Sequence, residues 1–418
     1  MNVCFFTFGC RLNKAEALLM EAEYLAKGWK LTDKHKDADL FVVRGCSVTS
    51  RAQHECEKLI GHLKRHYPSI PVRVCGCLEK KDSDLARLKR IETLKNAKNK
   101  QTPPTEIPVP TRTARAYLKV QDGCAGKCTF CIVPKFRGVS ASVDFTEVID
   151  RARRFIDAGY HEIVVTGCNL SLYASQGKRL PELLAALAEL TPAPTTAQSA
   201  TDSPLLDPTA CRIRLGSIEP GVCALETVHA MAEHPNVCRF LHIPIQSGSN
   251  KVLIAMRRPY IIRDVETLVE TAQQLMPRLG LGCDLMTGFP GESDLDFAAT
   301  AGLIKRLPFN NAHVFPYSKR PGTLAAGFPR AVEKEIRTHR AHELSRKMRT
   351  LREKFAQSFV GKTVQIVVEE DKKCSGWTSE YLKCEAITGT APRKSIATLF
   401  VTKSEKDQLY GRLKSVAS

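Results

Sequence analysis

The chain has 418 residues, 43% of them hydrophobic and 25% charged, and 62 Lys+Arg against 44 Asp+Glu give it a formal charge of +18. That length exceeds what one core supports, so two or three domains are expected. No apolar run approaches membrane-spanning length, and Met1-Asn-Val-Cys-Phe-Phe has neither a basic n-region nor a small-residue cleavage site, which argues against a secreted or membrane protein and for a cytoplasmic one. The cationic excess points to a polyanionic partner, most simply nucleic acid, and sixteen cysteines in such a chain point to metal ligation rather than disulfides.

The first hundred residues have an α/β texture. Strands expected at Val3–Phe8, Leu40–Val43 and Pro71–Val74 lead into Gly9-Cys10, Gly45-Cys46 and Cys75-Gly76-Cys77, so three strand ends deliver cysteines to one rim of a parallel sheet. Three thiolates, Cys10, Cys46 and Cys77, are candidate ligands of a cluster with one iron left open, with Cys75 a nearby rival for the third place. Residues 95–112, with four prolines and no apolar periodicity, are expected to be a linker that closes a domain at residue 94.

From 113 to 335 strand and helix patterns alternate. Strands are expected at Tyr117–Gln121, Glu162–Thr166, Arg212–Ser217, Arg239–Gln246, Leu281–Thr287 and Ala312–Pro316, with helices such as Phe145–Ala158 and Asp294–Leu307 between them. Six βα units in a row argue for parallel α/β architecture, as an open sheet or a barrel, with reactive loops at the carboxyl ends of the strands. Cys124-Ala-Gly-Lys-Cys128-Thr-Phe-Cys131 sits at the first such end. Three cysteines crowded into eight residues fit a cubane iron–sulfur cluster with one open iron. Residues 191–210, rich in Thr, Pro, Ala and Ser, read as a flexible surface insertion.

A helix is expected over Ile336–Phe355, with Leu344, Met348, Leu351 and Phe355 turned inward and a run of Arg and Lys on the remainder. It connects, through residue 358, to a segment at 359–418 read as short strands, Thr363–Glu369, Tyr381–Ala386 and Ala397–Thr402, in a small antiparallel barrel.

The C-x3-C-x2-C trio with Phe130 before its last cysteine resembles the signature of radical S-adenosylmethionine (SAM) enzymes. Thr7-Phe-Gly-Cys10-Arg-Leu-Asn13, Arg44-Gly-Cys46-Ser-Val-Thr49, Gly76-Cys77, Leu215-Gly-Ser-Ile-Glu-Pro220, His242-Ile-Pro-Ile-Gln-Ser-Gly-Ser249, Met256-Arg-Arg258, Gly288-Phe-Pro-Gly-Glu292 and His313-Val-Phe-Pro-Tyr-Ser318 extend the likeness to the radical SAM methylthiotransferases over nearly the whole chain. The resemblance implies a partial (β/α)6 barrel between an N-terminal methylthiotransferase domain and a C-terminal TRAM-like RNA-binding domain. It implies two 4Fe–4S clusters, on Cys10, Cys46 and Cys77 and on Cys124, Cys128 and Cys131, with SAM on the open iron of the second. Cys77 is preferred to Cys75 because it follows the glycine, as in the resembling proteins. Phe130, Glu219 and Gln246 become candidate SAM contacts. Partners implied are tRNA, a low-potential electron donor and a sulfur donor, with the chain acting as a monomer.

Gly-Cys-Arg-Leu-Asn at the first cysteine resembles the branch that methylthiolates N6-threonylcarbamoyladenosine at tRNA position 37. There Arg11 could grip the threonyl carboxylate bidentately. The isopentenyladenosine branch, a ribosomal-protein aspartate as substrate, and a non-catalytic RNA-binding iron–sulfur redox sensor are the competing readings.

Overall fold

The computed structural model describes residues 1–46, 50–78, 91–93, 113–191, 205–207, 210–221, 223–370 and 372–417. The expected linker, and all of the 191–210 insertion except Thr191, 205–207 and Ala210, lie outside them.

The N-terminal part is a five-stranded sheet of β1 (Asn2–Thr7), β2 (Lys30–Leu31), β3 (Leu40–Gly45), β4 (Val72–Gly76) and β5 (Ile91–Thr93), all parallel, in the order β2-β1-β3-β4-β5. The central strand β3, Leu-Phe-Val-Val-Arg-Gly, is buried throughout, as a strand covered on both faces must be. Strand order reverses at β1, and an open parallel sheet offers its crevice at that point, beyond the carboxyl ends of β1 and β3. Helix α1 (Arg11–Ala26) leaves this rim immediately after β1, and α2 (Ser50–His66) follows β3.

Six parallel strands form the middle of the molecule. β6 (Ala116–Lys119), β7 (Glu162–Thr166) and β8 (Arg212–Leu215) run in the order β8-β7-β6. β9 (Phe240–Gln246), β10 (Gly280–Thr287) and β11 (Asn311–Pro316) form a second parallel trio. Parallel bridges Ile213–Val237 and Ser217–His242 join the two into one arc. This is the partial (β/α)6 barrel, with each expected strand recovered to within a residue or two. The residues alternate across it: Ala116, Leu118, Ile163 and Val165 turn outward into the large apolar core, whereas Tyr117 and Val164 turn inward against Ala15 and Leu18 of α1. The N-terminal part therefore lays α1 along the inner wall.

The C-terminal strands β12 (Thr363–Glu370), β13 (Lys373–Trp377), β14 (Lys383–Ala386), β15 (Ile396–Glu405) and β16 (Gln408–Ala417) close into a barrel ordered β12-β13-β14-β16-β15. The expected small barrel is present, with more strands than the three read from the sequence. Five strands close it, and β14 pairs with β16 in parallel. Tyr381, expected as the first residue of a strand, instead has φ 67° in the turn before β14.

Helix α3 (Lys334–Gln357) bridges the two cores: Leu344 and Met348 are buried in the six-stranded barrel's core and Ala356 in the small barrel's. Several cations of its Arg and Lys run are engaged internally. Arg340 pairs with Glu292 and Asp294 at 2.6 Å each, and Arg352 with Asp407 at 2.6 Å.

The small barrel is fastened to the floor of the large one. Arg212 and Arg214, inward residues of β8, hold the buried Glu162 at 2.6 and 2.7 Å. Their remaining donors reach the carbonyl oxygens of Gln365, Trp377, Thr378 and Ser379 at 2.5–3.2 Å. Trp377 and Tyr381 stack on each other at 4.5 Å, and Tyr381 stacks on Phe240 of β9 at 4.7 Å. They are spent on this floor. Leu206, in the stretch read as flexible, is buried and exchanges two hydrogen bonds with Gln365, because it is one of the few apolar residues there.

Candidate active site

Cys10 caps the N-terminus of α1, Cys46 follows β3, and Cys77 follows β4. Gly9, at φ +90°, lets the β1 loop approach so closely that a side-chain carbon there would sit 2.7 Å from Cys46 Cβ and 2.9 Å from its sulfur. Asn13 Nδ2 ties the loops together by donating to Phe8 O at 2.8 Å and Gly45 O at 3.0 Å, and Cys77 N donates to Gly45 O at 3.2 Å. Cys75 turns elsewhere, with its sulfur against Met20 Sδ and Val43 O, both at 3.8 Å. The structure thus brings Cys10, Cys46 and Cys77 to one rim and leaves Cys75 under α1.

The second trio lies on the loop after β6. Gly126 N donates to Cys124 Sγ at 3.3 Å, and a side-chain carbon on Gly126 would lie 3.1 Å from that sulfur and 3.8 Å from Cys128 Sγ. Cys131 N donates to Cys128 O at 3.2 Å. Burial pushes the Cys131 thiol up to about 11, with Cys128 and Cys124 adding to it. Arg258 donates to Cys128 Sγ at 3.1 Å and pairs with Glu219, which also accepts from Asn169 Nδ2 at 2.8 Å.

Gly123 fixes the loop. It has φ +65°, and a Cβ there would lie 1.9 Å from Val139 O. Gly123→Ala is expected to move the trio out of register, seen as lost iron after anaerobic reconstitution and a lower melting temperature. Wild-type iron in that variant would mean the loop can rearrange.

The three proposed SAM contacts have different surroundings. Phe130 packs with its ring centroid 6.5 Å from that of Phe289, in an apolar cluster with Val252, Met256 and Met286. Glu219 is held by Arg258 and Asn169. Gln246 is the better candidate, since it is buried with left-handed backbone (φ 69°) and its Oε1 has no hydrogen-bond partner among the described residues.

A buried ionic network joins the two cysteine sites. Glu16 on α1 accepts from Lys119 at 2.7 Å and Arg137 at 3.0 Å and pairs with Arg44, and Asp122 accepts from the same Lys119 and Arg137 at 2.7 and 3.0 Å. Burial would raise the Glu16 carboxyl, but Arg44, Lys119 and Arg137 outweigh it and hold it well below the usual range. Arg137 also donates to Asn13 Oδ1 at 2.8 Å and lies against Cys77, while Asp122 is two residues before Cys124. Sequence reading gave Arg137 and Arg258 no role, although Arg258 lies inside the Met256-Arg-Arg258 motif; Glu16 and Lys119 carried no local signal.

Three thiols at each of two places, one orphaned buried amide oxygen, and cations against a cysteine of each trio fit iron–sulfur and SAM binding. A six-stranded barrel with such a loop defines a radical SAM enzyme. Residues 118–304 match the radical SAM superfamily, and residues 2–98 match the Uncharacterized protein family UPF0004. The chain is 31% identical over 394 residues to the tRNA-2-methylthio-N(6)-dimethylallyladenosine synthase of Mycobacterium ulcerans, covering 87% of this chain and 72% of that protein. It is 29% identical over 419 residues to the threonylcarbamoyladenosine tRNA methylthiotransferase MtaB of Bacillus subtilis, covering 91% and 89%. Among solved structures, the radical SAM methyltransferase TsrM of Kitasatospora setae shares the fold, with a TM-score of 0.55 and 14% identity over 78% of this chain and 76% of that one. The chain belongs to the radical SAM tRNA methylthiotransferase family and is an enzyme of that class, with SAM and two 4Fe–4S clusters as its cofactors.

Proposed function

We propose that this chain methylthiolates C2 of N6-threonylcarbamoyladenosine at tRNA position 37. Cys124, Cys128 and Cys131 would hold the SAM-binding cluster, and Cys10, Cys46 and Cys77 the auxiliary one. The supporting observation is the Glu16–Lys119–Asp122–Arg137 network, which locks the two cysteine loops against each other across the mouth of the barrel. When bound, SAM and the clusters supply the radical, the methyl group and a place for sulfur. The chain's own task is positioning: Arg258 steadies Cys128, Arg137 steadies Cys77 and its loop, and the buried network keeps water from the gap. An electron donor of low potential and a source of sulfur are required partners, and the reaction belongs in the cytoplasm. No helix among the described residues is long and apolar enough to cross a membrane.

Substrate choice rests on Arg11. Its guanidinium donates to Leu215 O at 3.4 Å and lies 5.2 Å from the Tyr381 ring centroid, inside the barrel rather than on the surface. A cation there suits a substituent bearing a carboxylate. The relatives named as dimethylallyladenosine synthases keep the isopentenyl substrate as the second reading. Incubating reconstituted protein with anticodon stem-loops carrying each nucleoside separates the two: threonylcarbamoyladenosine should be converted faster, and the reverse order would sink the proposal.

The exposed basic side chains Lys403, Lys406, Arg412 and Lys414 of the small barrel are assigned to the tRNA backbone. Changing all four to Gln should weaken tRNA affinity and flatten its salt dependence by roughly three to four counterions. An unaltered slope would remove this surface from the tRNA path.

A further inference from the structure

The inner wall of the barrel carries polar side chains that neither cysteine site uses. His242 on β9, Asp284 on β10 and His313 on β11 bring one ligating atom each within 4.8 Å of one another. Asp284 and His313 are register partners, with His313 Nδ1 3.1 Å from Asp284 Oδ1, and His242 Nε2 lies 3.6 Å from the same oxygen. His242 is 7% exposed, yet its Nε2 is buried with no hydrogen-bond partner among the described residues. The other ring nitrogen meets Ser217 Oγ at 2.9 Å. Burial pushes the His242 pKa down to about 4 despite Asp284, so the ring stays neutral and one nitrogen keeps a lone pair to offer. Arg11 is close enough to be felt electrostatically at His242.

A buried polar atom without a partner is costly, and native structures rarely leave one so unless a ligand or water completes it. The wall faces the space into which Arg11 reaches. Its occupant must be polar and supply both donors and acceptors. We infer that His242, Asp284 and His313 are specificity-determining residues that hydrogen-bond the hydroxyl and N–H groups of the substrate's N6 substituent while Arg11 takes its carboxylate. This rests on the threonylcarbamoyladenosine reading above and deepens it. An isopentenyl group would cover the wall with methyl groups and leave His242 Nε2 unanswered. A site built for hydrogen bonds rejects the analogue lacking them far more strongly than an apolar pocket rejects a change of size.

The test compares reconstituted full-length wild type with His313→Leu and Asp284→Asn, using stem-loops carrying threonylcarbamoyladenosine or isopentenyladenosine. His313 is 70% exposed, so its replacement should fold, and iron content and cluster absorbance check this directly. Wild type should prefer the threonylcarbamoyl substrate. Each variant should lower the ratio of the two kcat/KM values by about 10- to 100-fold, mainly through KM for the threonylcarbamoyl substrate. If wild type has that preference and both variants keep it in full, the inference falls while the substrate reading stands. If wild type prefers isopentenyladenosine, the substrate reading falls first. One equivalent of zinc that is lost in His313→Leu would also overturn the inference, by making the trio a metal site.

Discussion

Replacing Cys124, Cys128 and Cys131 together by alanine is expected to abolish SAM cleavage and to remove one cluster while the other remains, leaving roughly half of the reconstituted iron. The loop offers no substitute donors. Cys168 is a further thiol beside Asp122, with its sulfur 3.5 Å from Oδ1, and burial holds it protonated. The N-terminal trio sits on separate loops tied by Asn13 and should keep its iron. Iron analysis with electron paramagnetic resonance checks the result. Full iron in the triple variant would mean that other residues hold the cluster.

The second large effect is structural. Arg214→Met should lower stability by about 3–5 kcal/mol, because it removes one partner of a buried ion pair and leaves Glu162 to Arg212 at 2.6 Å and Arg115 at 3.6 Å. Glu162 and Arg214 are both fully buried, at 0% side-chain exposure. The same change removes the guanidinium donors to the carbonyl oxygens of Ser379 and Thr378, of which Thr378 O keeps Tyr381 N at 3.2 Å. A melting temperature lower by on the order of 10 °C is expected, together with protease cleavage in the Trp377–Tyr381 turn as the small barrel loosens from the floor. Adding Glu162→Gln should recover part of the loss, since the buried carboxylate would then no longer need its cations. A single variant that melts like wild type would show that Arg212 and the aromatic stack hold the barrels together without Arg214.

The sequence made the cysteine loops and the six parallel strands legible for a physical reason. Each cysteine follows a β-type run directly, and parallel strands buried on both faces are apolar runs that helical periodicity interrupts clearly. The small barrel was half legible. Lys373-Cys-Ser-Gly-Trp377 and Gln408–Ala417 are polar enough to read as loops, and they become strands only because closure pairs their backbones. The count of cations overstates what can face nucleic acid. Arg137, Arg212, Arg214, Arg258 and Arg340 answer buried carboxylates and serve the fold, while the net excess of +18 remains for an anionic partner. The His242–Asp284–His313 wall was invisible because its members sit on three strands 29 to 42 residues apart and meet only through parallel register. Of the ten cysteines outside the two trios, nine are buried, where a free cysteine packs as a small apolar side chain.

The central claim is the substrate, and nucleoside mass spectrometry of tRNA from a strain lacking this chain tests it most directly. The account predicts that 2-methylthio-threonylcarbamoyladenosine disappears, unmodified threonylcarbamoyladenosine accumulates, and 2-methylthio-isopentenyladenosine is untouched. Loss of the isopentenyl product with the threonylcarbamoyl product intact would contradict it.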